Sequence, residues 1–348
     1  MNTNAYAAFS ATSPLAPFSL QRREVGPKDI EIEILYCGVC HSDIHTVRSE
    51  WGPAKYPVVP GHEIVGKIVA IGKDVEKFKL GDLAGVGCFV DSCRTCDNCM
   101  HGEEQYCDSG MRATYNSYEE DGKSVTYGGY STRIVVDEQY SLKVSEKLDL
   151  AAVAPLLCAG ITTYSPLRHL GVKAGDKVAV LGLGGLGHMA VKFAAAFGAE
   201  VTMLSSSPHK AVDAEKLGAT DFILTTDEEA MKSAKKRFDV IVNTVSANHS
   251  YNTYLPLLKT NGTMVVLGIP EKASEVPAIN LINQRRKIMG SLIGGIAETQ
   301  EMLDFCAEHN IVSDIELIDI SYINEAYGRM LKNDVKYRFV IDIQSFKA

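Results

Sequence analysis

The chain has 348 residues, 46% hydrophobic and 22% charged, a composition and length typical of a globular protein with two domains. Its formal net charge of −8 argues against polyanionic partners, so we expect it to bind neither nucleic acid nor an acidic membrane surface. The N-terminus has no basic segment followed by an apolar one, and no apolar run reaches the ~18 residues that span a bilayer. These features predict a cytoplasmic protein, where clustered cysteines are more often metal ligands than disulfides.

The predicted elements change in character along the chain. Early strands are predicted over 30–36 (IEIEILY) and 64–71 (IVGKIVAI), each bounded by Gly, Pro or Asp. From about Gly171 short apolar runs alternate with helical segments, which favours a parallel, doubly wound sheet. These later strands include 222–226, 238–245, 262–269 and 287–295. An amphipathic helix (ETQEMLDFCAEHN) and a strand (YRFVIDI) then follow.

This order predicts two domains of an α/β protein. A β-rich catalytic domain is expected over 1–159 and 293–348, with a Rossmann-type cofactor domain inserted over 160–292. The strand in KIMGSLIGG is expected at the edge of the Rossmann sheet.

Four of the nine cysteines lie in one short loop with the spacing C-x2-C-x2-C-x7-C. They are Cys93, Cys96, Cys99 and Cys107. Two residues between ligands let both sulfurs reach one metal ion, and four sulfurs close a tetrahedron, so the spacing predicts structural zinc. An iron–sulfur cluster is the main alternative, but its usual run ends in Cys-Pro and here Asp108 follows. A redox pair would leave two cysteines unused, and an odd cysteine count fits a disulfide framework poorly.

A second ligand set is dispersed over three stretches, GVCHSDIH, PGHEIVG and LLCAG. Cys40, His62 and Cys158 form a set of two cysteines and one histidine, which leaves a fourth position open, as catalytic zinc requires. Taken singly, a buried cysteine or histidine is more often a core residue. The combination is what indicates a catalytic site.

VAVLGLGGLG places G-x-G-x-x-G after a strand and before a helix, which is typical of a dinucleotide-binding turn. Gly182 makes the turn, Gly184 lets a pyrophosphate approach the backbone, and Gly187 allows close helix packing. The whole loop is Gly182, Leu183, Gly184, Gly185, Leu186 and Gly187.

The end of the next predicted strand, VTMLSSSPHK, indicates which dinucleotide binds. An NAD site would carry a carboxylate there, whereas this chain has Ser205, Ser206 and Ser207, with Lys210 following. These groups can donate to a 2′-phosphate, so the stretch predicts NADP. The alternative is a polar turn in which serines are common anyway.

The order of G-H-E-x-x-G (Gly61 to Gly66), the four-cysteine loop and G-x-G-x-x-G resembles the zinc-containing medium-chain alcohol dehydrogenases over essentially the whole chain. CGVCHSDIHTVRSEW, APLLCAGITTYSPLRHLGV and GSLIGGIAETQEMLDFCAEHNI are similar to the cinnamyl-alcohol-dehydrogenase branch, particularly its bacterial NADP-dependent aldehyde reductases. The resemblance implies a GroES-like catalytic domain, a Rossmann domain, NADP(H), one catalytic and one structural zinc per chain, and a homodimer.

The resemblance also implies roles for individual residues near the open site. Cys40, His62 and Cys158 hold the catalytic zinc, and Glu63 approaches the metal when the open position empties. Asp43 orients a ligand histidine. Ser42 takes the alcohol proton, and His45 is the outer end of that relay, reached through the nicotinamide ribose. Plain alternatives remain: a salt-bridged carboxylate for Glu63 and a surface residue for His45.

Further contacts are implied for the cofactor and the substrate. The expected cofactor contacts outside the glycine loop and the serines are Thr162, Thr244, Val245, Gly268, Ser291, Ile293 and Arg338. Trp51, Cys88 and Phe89 are candidates for the substrate pocket, although aromatic residues more often pack in the core. Plant members of the branch place a tryptophan where this chain has Ala113, which favours a broad aldehyde range over a cinnamyl ring.

The activity implied is NADPH-linked reduction of aromatic and aliphatic aldehydes to primary alcohols, with zinc as the Lewis acid. Two alternatives stay open. One is a polyol, threonine or other secondary-alcohol dehydrogenase of the same family. The other, of a different class, is a catalytically inactive zinc protein with the same fold.

Overall fold

The computed structural model describes residues 2–347, and the chain divides into two compact units. One unit combines Met1–Ile161 with Gly294–Ala348, and the other is Thr162–Ile293. Among residues 2–347 no single helix is long and apolar enough to cross a membrane, although the bent pair Leu150–Leu157 and Ala159–His169 passes on length and composition alone.

Short strands and few helices build the N-terminal part of the first unit. The strands are β1 (Asn2–Ala7), β2 (Ala16–Gln21), β3 (Asp29–Gly38), β4 (Ile64–Ile71), β5 (Leu83–Val86), β6 (Phe89–Asp91), β7 (Arg112–Ala113), β8 (Arg133–Asp137) and β9 (Leu142–Lys143). The helices are α1 (His41–Val47), α2 (Asp97–Met100), α3 (Leu150–Val153) and α4 (Ala159–His169), the last of which continues into the second unit.

The second unit alternates strands with helices. Its strands are β10 (Lys177–Leu181), β11 (Glu200–Ser205), β12 (Asp221–Leu224), β13 (Phe238–Asn243), β14 (Leu258–Val266) and β15 (Lys287–Gly290). Its helices are α5 (Gly187–Ala196), α6 (Ala211–Leu217), α7 (Glu228–Ser233) and α8 (Ile279–Ile282). The C-terminal return to the first unit supplies α9 (Ile296–His309), β16 (Ile315–Asp319), α10 (Ile323–Met330) and β17 (Arg338–Asp342).

Short 3₁₀ turns connect many of these elements. Among the described residues they span Glu104–Tyr106, Glu138–Tyr140, Ala154–Leu157, Pro208–Lys210, Tyr251–Thr253, Leu255–Leu257, Ile320–Tyr322 and Ile343–Lys347.

A largely antiparallel sheet organises the first unit. Within residues 2–347 its order is β16-β17-β3-β4-β5-β9, with β8 also pairing β3. Ile30, Ile32 and Ile34 on β3 are buried at alternate positions, so one face of this central strand lies against the core. Because β3 runs to Gly38, its end delivers the chain to Cys40 at the start of α1. Two smaller pairs are separate from this sheet: β1-β2 precedes it in sequence, and β6-β7 is inserted between β5 and β8.

The second unit has a parallel sheet with the order β12-β11-β10-β13-β14-β15 among the described residues. Its central strands are mostly apolar, as is typical of a parallel sheet that helices cover on both faces. The buried core includes Ala179, Leu181, Leu204, Phe238, Ile241 and Met264. The predicted α/β class, which combines a β-rich part and a doubly wound sheet in one chain, is confirmed.

The last strand of this sheet is shorter than its sequence predicts. β15 ends at Gly290, whereas the apolar pattern continues to residue 295. Gly290 pairs with Val266, the last residue of β14, so no partner strand continues the ladder beyond it. Further on, Ile293 adopts φ +39°, a left-handed conformation that does not belong to a strand. The predicted edge position of this strand is confirmed.

Candidate active site

Four buried ligand-type side chains of the first unit converge at one point. The ligand atoms of Cys40, His62, Glu63 and Cys158 all lie within 4.8 Å of one another. The Sγ atoms of Cys40 and Cys158, 118 positions apart in sequence, are 4.0 Å apart. The fold therefore brings the two dispersed cysteines and the histidine together and adds a carboxylate to them.

The start of α1 fixes one of these ligands. Cys40 is the N-cap residue of the helix, and Asp43 at the third helical position accepts a hydrogen bond from its backbone N–H at 2.8 Å. This reciprocal arrangement is a capping box, which fixes the backbone at the helix start. The same residue that begins the helix therefore presents the sulfur.

A glycine fixes the backbone beside the histidine. Gly61 has φ +103°, and an added Cβ would lie under 3.0 Å from Tyr130, Cys37 and Gly129, closer than real Cβ atoms come. Only glycine fits there, and the next residue, His62, has its ring near Cys40.

Asp43 holds the histidine ring from behind. Its Oδ1 lies 3.1 Å from Nδ1 of His62 and accepts from Gly61 N at 3.1 Å, while the Tyr130 hydroxyl donates to Oδ2 at 3.2 Å. With Nδ1 committed to Asp43, Nε2 is the ring nitrogen left for a metal. Burial lowers the pKa of His62, but Asp43 and the nearby sulfurs outweigh it and raise that pKa well above its usual range.

Glu63 is the fourth group and forms an ion pair with Arg338 of β17. Both side chains are buried. Burial raises the pKa of Glu63 to about 7 although Arg338 opposes the shift. Arg338 is predicted to contact the cofactor, and in the structure its guanidinium forms this ion pair with the Glu63 carboxylate.

This donor set fits a zinc ion. Oε2 of Glu63 is buried and has no hydrogen-bond partner among the described residues, so one oxygen is left for another ligand. The hydrogen bond with Cys158 lowers the pKa of Cys40 well below its usual range, and the same contact raises that of Cys158. Two sulfurs, an imidazole nitrogen and a carboxylate oxygen are all ligands that zinc accepts.

The four-cysteine loop forms a separate ligand set in the same unit. Its Sγ atoms lie within 4.8 Å of one another, with Cys93 and Cys99 3.9 Å apart. Backbone N–H groups of Cys93 and Cys96 donate to sulfurs of the set at 3.3 Å. Ser92 lies 3.1 Å from the Cys99 sulfur and 2.7 Å from the hydroxyl of Tyr140. Four sulfurs with these donors fit a closed zinc site.

The predicted relay residues lie on α1 beside the open site. Ser42 Oγ is 3.5 Å from the Cys40 sulfur. His45 Nδ1 lies 2.5 Å from Oε2 of Glu50, and its ring stacks on Trp51 with centroids 4.6 Å apart. Glu50 was missed by the sequence interpretation. The signal that could have found it is a carboxylate five residues after a histidine at the end of a short helix.

The predicted pocket residues differ in their surroundings. Trp51 is 52% exposed and contacts His45. Cys88 is half-buried, with Sγ 3.8 Å from the carbonyl of Leu157. Phe89 is buried on β6, where its backbone pairs with Ala113 and its ring packs edge-on against Tyr140. Phe89 is therefore a packing residue of the β6-β7 pair.

The glycine-rich turn of the second unit lies between β10 and α5, as its motif predicts. Gly182 has φ +92°, and a Cβ on Gly187 would lie under 3.0 Å from the Gly182 carbonyl, so the helix packs directly on the turn. An added Cβ on Gly184 would meet nothing within 4 Å among the described residues. The turn thus combines tight packing with one open backbone position.

Polar groups gather around this turn. Ser205 ends β11 and accepts a hydrogen bond from Ser207 N at 3.1 Å, while Ser206 is exposed. Lys210 Nζ donates to the Leu183 carbonyl at 2.9 Å, which brings a cation to the glycine loop. Burial lowers the pKa of Lys210.

The other predicted cofactor contacts of this unit have varied positions. Thr244 donates to the carbonyls of Leu181 and Gly182 at 2.9 and 3.1 Å. Gly268 packs on Val245, because a Cβ added to Gly268 would lie under 3.0 Å from the Val245 carbonyl oxygen. Thr162 lies in α4, and Ser291 and Ile293 follow β15.

Comparison with known proteins identifies the family. Residues 26–146 match the alcohol dehydrogenase GroES-like domain, and residues 185–308 match the zinc-binding dehydrogenase family. NADP-dependent alcohol dehydrogenase C 1 of Mycolicibacterium smegmatis is 58% identical over 346 residues, 99% of each chain. Aldehyde reductase YahK of Escherichia coli is 56% identical over 344 residues, 98% of each chain.

A solved structure of similar extent has the same architecture. The crystal structure of a cinnamyl alcohol dehydrogenase from Helicobacter pylori, complexed with NADP(H), aligns with a TM-score of 0.93, 44% identity and 99% coverage of each chain. Both family models match in chain order, and the structure assembles both ligand sets. This chain therefore belongs to the zinc-binding alcohol dehydrogenases and has their GroES-like and Rossmann domains.

Proposed function

We propose that this chain catalyses the reversible, NADPH-linked reduction of aldehydes to primary alcohols. The observation that carries the proposal is the convergence of Cys40, His62 and Cys158 in a buried cluster, with Asp43 behind the histidine. The names of the relatives from M. smegmatis and E. coli, an NADP-dependent alcohol dehydrogenase and an aldehyde reductase, support it.

In this proposal Cys40, His62 and Cys158 hold the catalytic zinc, and Glu63 reaches the metal when no substrate is present. The four-cysteine loop holds the structural zinc. When bound, zinc supplies a Lewis acid for the carbonyl oxygen, and NADPH supplies the hydride.

Residues of α1 handle the proton. Ser42 holds it on Oγ and donates it to the oxygen of the aldehyde whose carbon receives the hydride. His45 takes a proton from solvent and would return it to Ser42, with a ribose hydroxyl of the bound cofactor as the link. Glu50, on Nδ1 of His45, fixes the orientation of the ring and leaves Nε2 for the relay.

The second unit binds the cofactor in this proposal. Backbone N–H groups of the glycine loop at the start of α5 bind the pyrophosphate, and Ser205, Ser206, Ser207 and Lys210 bind the 2′-phosphate. The metal chemistry belongs to the predicted domain 1–159 with 293–348, and NADP(H) binding belongs to 160–292. The remaining contacts are assigned to Thr162, Thr244, Val245, Gly268, Ser291, Ile293 and Arg338.

The small side chain of Ala113 and the candidate pocket residues Trp51 and Cys88 favour a broad range of aromatic and aliphatic aldehydes. Substrate range is measured with purified protein and NADPH against a panel of aldehydes. A preference for secondary alcohols or polyols over every aldehyde tested would contradict the proposal.

Cofactor choice is tested by restoring the carboxylate that an NAD site carries. Ser205→Asp places a charge against the 2′-phosphate and should lower kcat/KM for NADPH on the order of a hundredfold or more, while NADH use falls little or rises. Lys210→Ala should weaken NADPH alone, and Lys235→Ala, an exposed lysine on another segment, is the matched control. Wild-type preference for NADH would refute the NADP assignment.

We also propose that the protein is cytoplasmic and forms a homodimer. The dimer is supported by the position of β15 at the edge of its sheet, where unpaired backbone groups can meet a second copy. Light scattering at micromolar concentration should give about twice the chain mass of 37.8 kDa. A mass equal to one chain would contradict the dimer.

A further inference from the structure

The four-cysteine loop, which runs from Cys93 to Cys107, contacts the start of α9. Oε2 of Glu104 accepts a hydrogen bond from the backbone N–H of Ile296, the first residue of the helix, at 3.1 Å. The helix has fourteen residues and its N-cap residue is Gly295, which has no side chain to cap it. A carboxylate of the four-cysteine loop therefore supplies the cap that the helix lacks, where a negative charge is also favoured.

The contact is close on the backbone side as well. A Cβ on Gly295 would lie under 3.0 Å from both the Gly102 carbonyl and Oε2 of Glu104. Gly102 itself has φ +77°, a conformation that glycine adopts without strain. Two glycines thus let the four-cysteine loop and the helix start touch directly.

The residue that precedes this junction is strained. Ile293 is buried and β-branched, yet it has φ +39°. Such a conformation persists only where the flanking structure holds it. On its C-terminal side the chain is fixed by Gly294, where a Cβ would lie under 3.0 Å from Ile161 and Glu298, and then by the capped start of α9.

We infer that the four-cysteine loop is a positioning element for the segment 291–293: through Glu104 it caps α9 and thereby holds Ile293 in its left-handed conformation. The inference rests on the proposed function in one respect, because Ser291 and Ile293 are assigned there as NADP(H) contacts. Glu104 is a positioning residue in this scheme and touches neither cofactor nor substrate.

The four-cysteine loop depends on its metal for this task. Within it α2 has four residues and the 3₁₀ turn Glu104–Tyr106 has three, too little regular structure to hold a shape alone. That turn lies between the ligands Cys99 and Cys107, so the metal fixes Glu104 from both sides. The structural zinc then acts on cofactor binding without contacting the cofactor.

The test compares Glu104→Ala with Glu103→Ala, the adjacent carboxylate, which makes no hydrogen bond to α9 in the described part of the chain. Hydrogen exchange is measured on the peptide covering 294–299, NADPH affinity by fluorescence titration, and zinc content by elemental analysis. Loss of the cap should speed exchange there roughly two- to thirtyfold. NADPH should bind several-fold more weakly, with two zinc ions retained. Glu103→Ala should match wild type.

A conservative variant keeps the test decisive if Glu104→Ala folds poorly. Glu104→Gln keeps an acceptor oxygen but loses the charge, so its exchange and NADPH affinity should lie between wild type and the alanine variant. Exchange equal to wild type in both variants would overturn the inference, as would faster exchange with unchanged NADPH affinity. Failure of wild type to bind NADPH would instead overturn the proposed function, and with it the cofactor half of this inference.

Discussion

The two cysteine-containing clusters of the first unit differ in how the chain builds them. The four-cysteine loop draws all its sulfurs from fifteen consecutive residues, whereas the open cluster draws its ligands from three segments up to 118 positions apart. The loop surrounds its sulfurs with backbone N–H donors and a serine. In the open site, the two cysteines and His62 are surrounded by three buried ionisable groups. These are Asp43 behind the histidine, Glu63, and Arg338, which forms an ion pair with Glu63.

This difference teaches how one unit gives the same metal two roles. A contiguous set closes around the ion and leaves no position for a substrate. A dispersed set depends on the whole fold, so the fold can add charged groups behind and beside the ligands. The role of each ion is therefore set by what surrounds the sulfurs, and the following variants test that claim.

The largest effect is expected from Cys158→Ala. Removing this ligand should lower kcat/KM by at least ~10⁴-fold, because the Lewis acid contributes several kcal/mol to catalysis. Elemental analysis should find one zinc ion per chain. The matched variant Cys96→Ala should also retain one ion, but with a Tm lower by roughly 10 °C and aldehyde reduction still measurable. Equal loss of turnover in both variants would erase the distinction between the sites.

His45→Ala should have a smaller effect, about 10²-fold on kcat, at the lower end of general acid–base contributions. Solvent water can replace an outer relay group in part, whereas nothing replaces a ligand. Zinc content should stay at two ions. Stopped-flow measurement of the hydride step with NADPH and one good aldehyde checks this, and an unchanged rate would remove His45 from the relay.

Asp43→Asn should weaken zinc binding at the open cluster by about 10- to 100-fold, the usual cost of losing a group that orients a ligand histidine. Competition with a chromogenic chelator measures the affinity. Ser92→Ala is the counterpart in the four-cysteine loop and should weaken only that site. If Asp43→Asn releases both ions with equal ease, the clusters are not independent.

The smallest effect is expected from Tyr130→Phe. The hydroxyl makes one of the hydrogen bonds to Asp43, and burial keeps it protonated by raising its pKa well above the usual range. Loss of one of the several hydrogen bonds that Asp43 accepts should weaken zinc binding roughly two- to tenfold. The visible spectrum of the cobalt-substituted protein should shift slightly. A spectrum and affinity identical to wild type would show that the backbone donors suffice.

The sequence predicts local arrangements better than distant ones. The spacing of the four cysteines and the glycine turn depend on residues within a few positions, so both could be placed beforehand. The meeting of Cys40 with Cys158 was suggested by their ligand types and by the resemblance, because no periodicity reports a contact over 118 positions. The hydrogen bond between Glu104 and the start of α9 and the ion pair between Arg338 and Glu63 were not predictable for the same reason. Ile293 shows the reverse case, where an apolar pattern continues past the point at which the backbone turns.

The discontinuity of the first unit has a consequence for how the protein is made on the ribosome. β17 lies between β16 and β3 in the sheet, so this sheet cannot be completed until Arg338–Asp342 has been synthesised. The four-cysteine loop, by contrast, has all its ligands once Cys107 has emerged. At roughly 5–20 residues per second the two events are separated by about 10 to 50 s. The loop can therefore take up its zinc ion during translation, whereas the open site obtains its ion pair between Glu63 and Arg338 only after Arg338 has been synthesised.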